Sequence, residues 1–442
     1  MQQLSKINRG ATVSGNFYEV YSAFVLVYLL LINNQTNVIW SGGAVFLALP
    51  FLLVPEKILP LLFACSINSE FMVAFQGISM ARIYTLIFLA GAIFQVFYRR
   101  KRLERNDILV YLFFSIFLLV SAATSFTEET TPAYSVILYF LMVFFMLSLS
   151  VDRQSFLKGC IIISVILSVY YAAVLLSGTE DALYGRVSVG ETVNTNMLAM
   201  GIAQLLAFNF AAYFISEKRS TKLILIFSGL CNVLGILFTG SRSGAFGAVC
   251  AVFCCILLMG LKKNPRVKGI RPLTVVAFLL GTSLVLFLVQ MIDPEVLSRF
   301  TLDNVVESGG TGRFEVWTTY LEKVFPRYPF FGLGYGGQNL SIYLTEYYGI
   351  SHGAHNILIE MLSGFGIVGT MLFVPYLVIC LAKVIGRYRL DKTVLIPFTM
   401  LCAILFNGIG ENTFGTRILW FAVGLGLMLC RQPLEETAEK FN

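Results

Sequence analysis

The sequence predicts an all-α fold: a polytopic membrane bundle of 12–14 transmembrane helices with one long extracytoplasmic loop that carries a short amphipathic helix. Three observations predict it. Apolar residues make up 57% of the 442-residue chain and charged residues only 13%, about half the ~25% usual in soluble domains. Mean hydropathy is +0.78. The apolar residues fall in continuous runs, without the in–out alternation of a membrane barrel. At about 20 residues per span, roughly 252 apolar residues supply about 12 spans. This composition excludes a soluble globular domain, a disordered chain and a disulfide scaffold.

The apolar runs lie near 18–33, 38–54, 58–75, 82–98, 108–124, 133–150, 156–177, 196–215, 222–239, 243–261, 273–292, 354–382, 393–409 and 418–430. The first three and the last are short or weakly separated, which sets the range of 12–14. Four loops are basic: Arg99–Arg100–Lys101–Arg102 with Arg105; Lys218, Arg219 and Lys222; Lys262, Lys263, Arg266, Lys268 and Arg271; and Lys383, Arg387, Arg389 and Lys392. An even number of runs separates each from the next, so all four share one face. Positive charge marks that face as cytoplasmic, and both termini join it. Lys6 and Arg9 precede the first run with no small-residue cleavage site at signal-peptide distance, so a removed signal peptide is not expected. The whole chain, 1–442, reads as one integral-membrane domain, with 293–353 as its long outer loop.

The net charge of +7 reflects these cytoplasmic anchors rather than nucleic-acid binding. All nine cysteines sit in apolar runs and none has metal-ligand spacing with histidine, so they read as small buried hydrophobes.

The segment from Asp293 to His352 is too long for a simple connector. Within it, Arg313–Pro326 places Phe314, Trp317, Leu321, Val324 and Phe325 largely on one helical face, and Thr311 is positioned to cap it. An interfacial surface helix accounts for the aromatics but leaves Arg313 unexplained. Eight basic residues fall on the outer side: Arg82, Arg186, Arg242, Arg299, Arg313, Lys323, Arg327 and Arg417. Seven are arginine, whose fork binds phosphate or carboxylate bidentately and keeps its charge at any relevant pH. Arg299 and Arg327 read as ordinary loop cations. Arg242 differs, because Thr239–Gly244 (TGSRSG) is a tight connection between two apolar helices that holds the charge at the membrane boundary among small residues. Arg186 lies in a short loop ahead of Asn194 and Asn196.

The chain has two histidines, His352 and His355, in SHGAHN at the entrance to the first apolar helix after the long loop. No acidic or cysteine set accompanies them, so a metal site is not expected. A histidine at a helix entrance near the membrane surface suits a general base. Glycines 364, 366 and 369 inside that helix read as packing positions. The Gly332–Gly337 run (GLGYGG) follows no strand and is therefore not a dinucleotide fingerprint.

Taken in order, several of these pieces resemble one family. His355-Asn356, nine residues and then Gly366-Ile367-Val368-Gly369 are similar to the motif of bacterial O-antigen ligases and related surface-polysaccharide polymerases. So are Gly240–Ala245 (GSRSGA), Arg313–Trp317, and Tyr328–Gly334 (YPFFGLG); Arg186 with Asn194–Asn196 looks like a further element. The resemblance covers roughly 180–380. It implies a cofactor-free and metal-independent glycosyltransferase in the bacterial inner (plasma) membrane. Its donor would be a glycan on undecaprenyl diphosphate, and its acceptor a sugar hydroxyl of a glycan or glycolipid on the extracytoplasmic face. Within it Arg242, Arg313 and His355 are the expected catalytic residues, and Arg186, Asn356, Trp317 and His352 the expected substrate contacts.

The residues themselves agree with that chemistry. Displacing a diphosphate from an anomeric carbon requires the leaving charge to be stabilised, which fixed cations do, and a base must take the acceptor's proton. A polymerase joining lipid-linked repeat units uses the same donor chemistry. A flippase or transporter for lipid-linked sugars is the rival of another class, yet no acidic residue falls in the middle of any predicted span, Glu360 and Glu411 lying near outer ends. A scaffold protein leaves the arginine and histidine distribution unexplained.

Overall fold

In lipid a backbone can satisfy its hydrogen bonds only within itself, so long apolar runs fold as helices. A computed structural model describes residues 17–32, 38–67, 74–75, 78–99, 103–127, 130–177, 180–181, 186–187, 194–261, 312–336 and 338–433, with isolated helical positions at 283, 287 and 290. Among these are the helices α1 (Phe17–Leu31), α2 (Val38–Ala48), α3 (Leu59–Ile67), α4 (Met80–Arg99), α5 (Arg105–Ala123), α6 (Thr131–Ser148), α7 (Arg153–Ser177) and α8 (Thr195–Ile215). They continue with α9 (Arg219–Phe238), α10 (Arg242–Leu261), α11 (Arg313–Thr319), α12 (Asn339–Tyr348), α13 (Ile357–Arg387), α14 (Leu395–Asn407) and α15 (Arg417–Arg431). Two ladders of two residues each, 74–75 with 78–79 and 180–181 with 186–187, are the β-structure among the described residues.

Among the described residues seven helices are long and apolar enough to cross a membrane: α4, α5, α7, α8, α9, α10 and α13. Helices α1, α2, α6 and α14 are apolar but shorter. The chain is a polytopic helical membrane bundle. Of the expected segment 58–75, α3 accounts for nine residues, about 14 Å at 1.5 Å per residue against a hydrocarbon core of ~30 Å, and residues 68–73 lie outside the described residues. Pro50 and Pro55 open the 3₁₀ turns that end α2 and lead into α3. Apart from the three helical positions 283, 287 and 290, segment 273–292 lies outside the described residues, as does the part of the long loop before Gly312.

Helix α8 forms the centre, nearly all of it buried against α7, α9, α10 and α14. Ala199, Ala203, Ala207 and Ala211 repeat every fourth residue with no exposed surface, which lets neighbouring helices approach closely. Helix α15 packs on α6, α13 and α14. The peripheral helices turn large apolar side chains outward, among them Phe97, Phe113, Phe227, Val249 and Met371, the surface a bilayer covers.

A small second core caps one end of the bundle. Val316, Tyr320, Val324, Leu333, Leu340, Tyr343 and Leu344 form it from α11, α12 and the connection between them. Val316 of α11 and Tyr320 and Val324 just beyond it are buried, while Phe314 and Leu321, expected on the apolar face, are exposed. Beyond Thr319 the register changes because Tyr320–Val324 winds as a π-turn. Beneath this cap α13 breaks at Gly366 (φ 61°, ψ −163°). Pro329 and Phe330 accept hydrogen bonds from Ile367 and Val368 (2.8 and 3.1 Å), and Leu333 donates to Ser363 (2.6 Å). The YPFFGLG segment thus threads into the break. Gly366 and its neighbours are packing positions, as expected, with the added role of a notch.

Candidate active site

Helix α10 begins in TGSRSG. Gly240 takes positive φ, the Ser241 hydroxyl accepts from the Gly244 N–H (3.3 Å) as an N-terminal cap, and Arg242 is the first helical residue. A Cβ on Gly244 would lie 2.6 Å from Ala199 Cβ, so this glycine seats the arginine turn directly against α8. Arg242 is partly buried.

Arg313 is the first residue of α11 in the same way. The cap position is Gly312 at φ 79°, a left-handed conformation that suits glycine; Thr311, the expected cap, lies outside the described residues. Arg242 and Arg313 are close enough for their charges to act on one another. Arg313 Nη2 reaches Glu411 Oε1 at 3.1 Å, and the other oxygen of Glu411 stands 3.0 Å from His355 Nδ1. The Glu411 side chain is 3% exposed. It therefore sits between a guanidinium and an imidazole, with both oxygens used. An ionised carboxylate only accepts hydrogen bonds, so it draws the imidazole proton to Nδ1 and leaves Nε2 as the basic nitrogen.

His355 has positive φ (44°), which is strained for a non-glycine residue. Neighbouring contacts hold it there. Trp317 Nε1 donates to the carbonyl of Ala354 (2.7 Å). Asn356 caps α13 by accepting from Leu358 and Ile359 (2.9 and 3.2 Å), and its amide donates to the Ile409 carbonyl (3.1 Å). The connection 408–416 between α14 and α15 is stitched to the start of α13 at further points. Ile357 N–H donates to Gly408 (2.6 Å), Asn356 N–H donates to Asn412 Oδ1 (3.3 Å), and the Glu360 carboxyl accepts from Phe414 and Gly415 (3.1 and 3.3 Å). Tyr335 of the GLGYGG run supports this seam from behind, stacked on Phe365 with its hydroxyl toward Glu360 (3.5 Å). That run is a buttress for the seam.

Of the residues singled out from sequence, Arg313 and His355 thus meet at Glu411, with Arg242 near Arg313. His352 lies alongside, its exposed ring 3.0 Å from the point where a Cβ on Gly312 would stand. Trp317 and Asn356 are at the site with their polar groups engaged by the backbone around His355. Arg186 sits on a two-residue ladder, and its side chain lies outside the described residues. Arg327 is exposed, as expected of a loop cation. Arg417 is buried and donates to the Cys65 carbonyl (3.1 Å), capping α3.

Glu411 is the residue that sequence reasoning passed over. Its signal was present: GIGENT is another short connection of small and polar residues between apolar helices, like TGSRSG.

Comparison with known families bears on the same elements. A family model described as O-antigen ligase matches residues 225–374. Over this stretch the chain is similar to the O-antigen ligase family. The stretch spans about a third of the chain and contains Arg242, Arg313 and His355, whereas Glu411 lies beyond it. Comparison with curated proteins finds no match. This similarity, with the apolar helices, supports an integral-membrane enzyme of the O-antigen ligase or polymerase type.

Proposed function

We propose that the chain is an inverting membrane glycosyltransferase. It moves a glycan from undecaprenyl diphosphate to an acceptor sugar hydroxyl on the extracytoplasmic face of the bacterial inner membrane. The observation that carries this reading is the linked group Arg242, Arg313, Glu411 and His355. Two arginines at neighbouring helix entrances suit bidentate binding of the donor's diphosphate. Arg186 is the third member of the clamp in this reading. Nε2 of His355 removes the acceptor's hydroxyl proton, the oxygen attacks the anomeric carbon, and the bond from that carbon to the diphosphate oxygen breaks. Undecaprenyl diphosphate leaves with its charge held by the arginines, and one displacement inverts the anomeric centre. Glu411 holds the imidazole in the working tautomer and stabilises the imidazolium that forms. No cofactor enters this scheme. His352 borders the acceptor side.

Purified protein with a lipid-linked glycan donor tests this. His355→Ala is expected to lower transfer by about 10²–10⁴-fold, and Arg242→Ala by about 10²-fold or more. Undiminished transfer by either variant at normal membrane expression overturns the scheme. Product formed in detergent, without a sealed membrane, excludes pure transport. Ligase and polymerase separate by glycan length in cells lacking the protein: a single unpolymerised repeat identifies a polymerase, and long chains stranded on the carrier lipid identify a ligase.

A further inference from the structure

At the other end of α13 from His355, about 45 Å away along the helix, its last turns and the end of α15 enclose an open cavity of about 410 Å³. Lys383, Gly386, Arg387 and Leu390 line it from the α13 side, and Leu427, Cys430 and Arg431 from α15. Its charges are unequal. Arg431 is matched by Asp107 and Glu104 of the α5 end. The nearby Asp391 is matched by Arg153 at 2.6 Å. Among the described residues no carboxylate forms an ion pair with Lys383 or Arg387. Arg387 donates one N–H to the Gln432 carbonyl (2.6 Å), and its Nε is buried with no hydrogen-bond partner. The cavity therefore carries two uncompensated cations and an unsatisfied donor.

Its apolar side continues outward. Met371, Val378 and Ile379 are exposed along the same face of α13 that ends in Lys383, Gly386 and Leu390. This face is a greasy strip leading into a cationic pocket. A Cβ added at Gly386 would meet nothing within 4 Å, so the glycine leaves room in the cavity wall.

We propose that this cavity binds the phosphate headgroup of an anionic phospholipid. Lys383 and Arg387 hold the phosphate, and an acyl chain lies along Val378, Ile379 and Met371. The charge selects an anion, the strip selects one with a hydrocarbon tail, and the position at the basic face matches the leaflet whose surface is negative. Such a lipid pins the ends of α13, whose start is bonded to the connection carrying Glu411, and of α15, which follows that connection.

Native mass spectrometry of the full-length protein, purified in mild detergent and mixed with phosphatidylglycerol, cardiolipin, phosphatidylcholine or inorganic phosphate, tests the proposal. Retained adducts of the two anionic lipids, and none of phosphatidylcholine, are expected. Lys383→Gln and Arg387→Gln should each weaken retention by about fivefold, the effect of one cation at a lipid surface. Gly386→Leu, which fills the cavity without touching a charge, should weaken it as well. Lys383 and Gly386 are exposed, so those two variants fold even where Arg387→Gln does not. Equal retention of phosphatidylcholine, saturation by inorganic phosphate alone, or anionic-lipid retention unchanged in Lys383→Gln and Gly386→Leu overturns it.

Discussion

The strain at His355, a non-glycine residue at φ 44°, costs roughly 1–3 kcal/mol and persists because Trp317 and Asn356 fix the backbone on both sides of it. Trp317→Phe keeps most of the ring and deletes the indole N–H. We expect a loss of about 1 kcal/mol in stability and a fall in kcat with little change in KM for the donor, measured by steady-state transfer; a change confined to KM would instead assign Trp317 to substrate binding. At this scale the sequence was partly legible. Arg242, Arg313 and His355 announce themselves because each is polar at the mouth of an apolar helix. Glu411 stands in an equivalent position, but its pairing with a histidine 56 residues away follows only from the packing of α13 against the 408–416 connection. For the same reason the backbone bonds of Trp317 and Asn356 were invisible: a side chain's residue type indicates that it can donate, not where its partner lies.

Helix α13 is two helices joined at a notch. The apolar period through residues 354–382 runs on unbroken and predicts one span, and the glycines in it signal close packing without saying what packs. What packs is backbone: a Cβ on Gly366 would stand 2.3 Å from the carbonyl of Phe330. Gly366→Ala is therefore expected to cost more than about 1 kcal/mol, combining a positive φ with a clash that no side-chain rotation relieves. Gly260→Ala in α10, where nothing lies within 4 Å, is the control and should be neutral or slightly stabilising. The thermal midpoint of each variant, followed by size-exclusion chromatography, gives the comparison. The element boundaries that sequence missed have equally local causes: Pro50 ends the helix in 38–54, and the π-turn that follows α11 breaks the regular 3.6-residue period.

At the scale of the whole molecule, the helical membrane bundle was legible from composition together with the continuity of the apolar runs, since in lipid a backbone is satisfied only in a helix or a closed barrel and the runs lack a barrel's alternation. The distribution of lysine and arginine over the loops predicts which face is cytoplasmic. That orientation has a direct check. Ser351→Cys, exposed beside the histidines, should react with a membrane-impermeant thiol reagent added to spheroplasts, and Leu390→Cys, exposed at the basic face, should react only after permeabilisation. The opposite pattern would invert the topology and remove the extracytoplasmic site. The native cysteines are buried or half-buried, which keeps the background low.

The seam between α13 and the connection 408–416 also sets an order of events. Arg242, Arg313 and His355 are made by the ribosome before Glu411, and the carboxylate comes into place only when α14 and α15 have been inserted beside the helices already in the bilayer. Domains form progressively as a chain is synthesised, yet this site cannot assemble progressively, because its central residue comes last. A nascent chain halted before α14 would hold two neighbouring arginines with no carboxylate between Arg313 and His355. The polypeptide therefore completes its own membrane insertion before it can acquire the paired histidine.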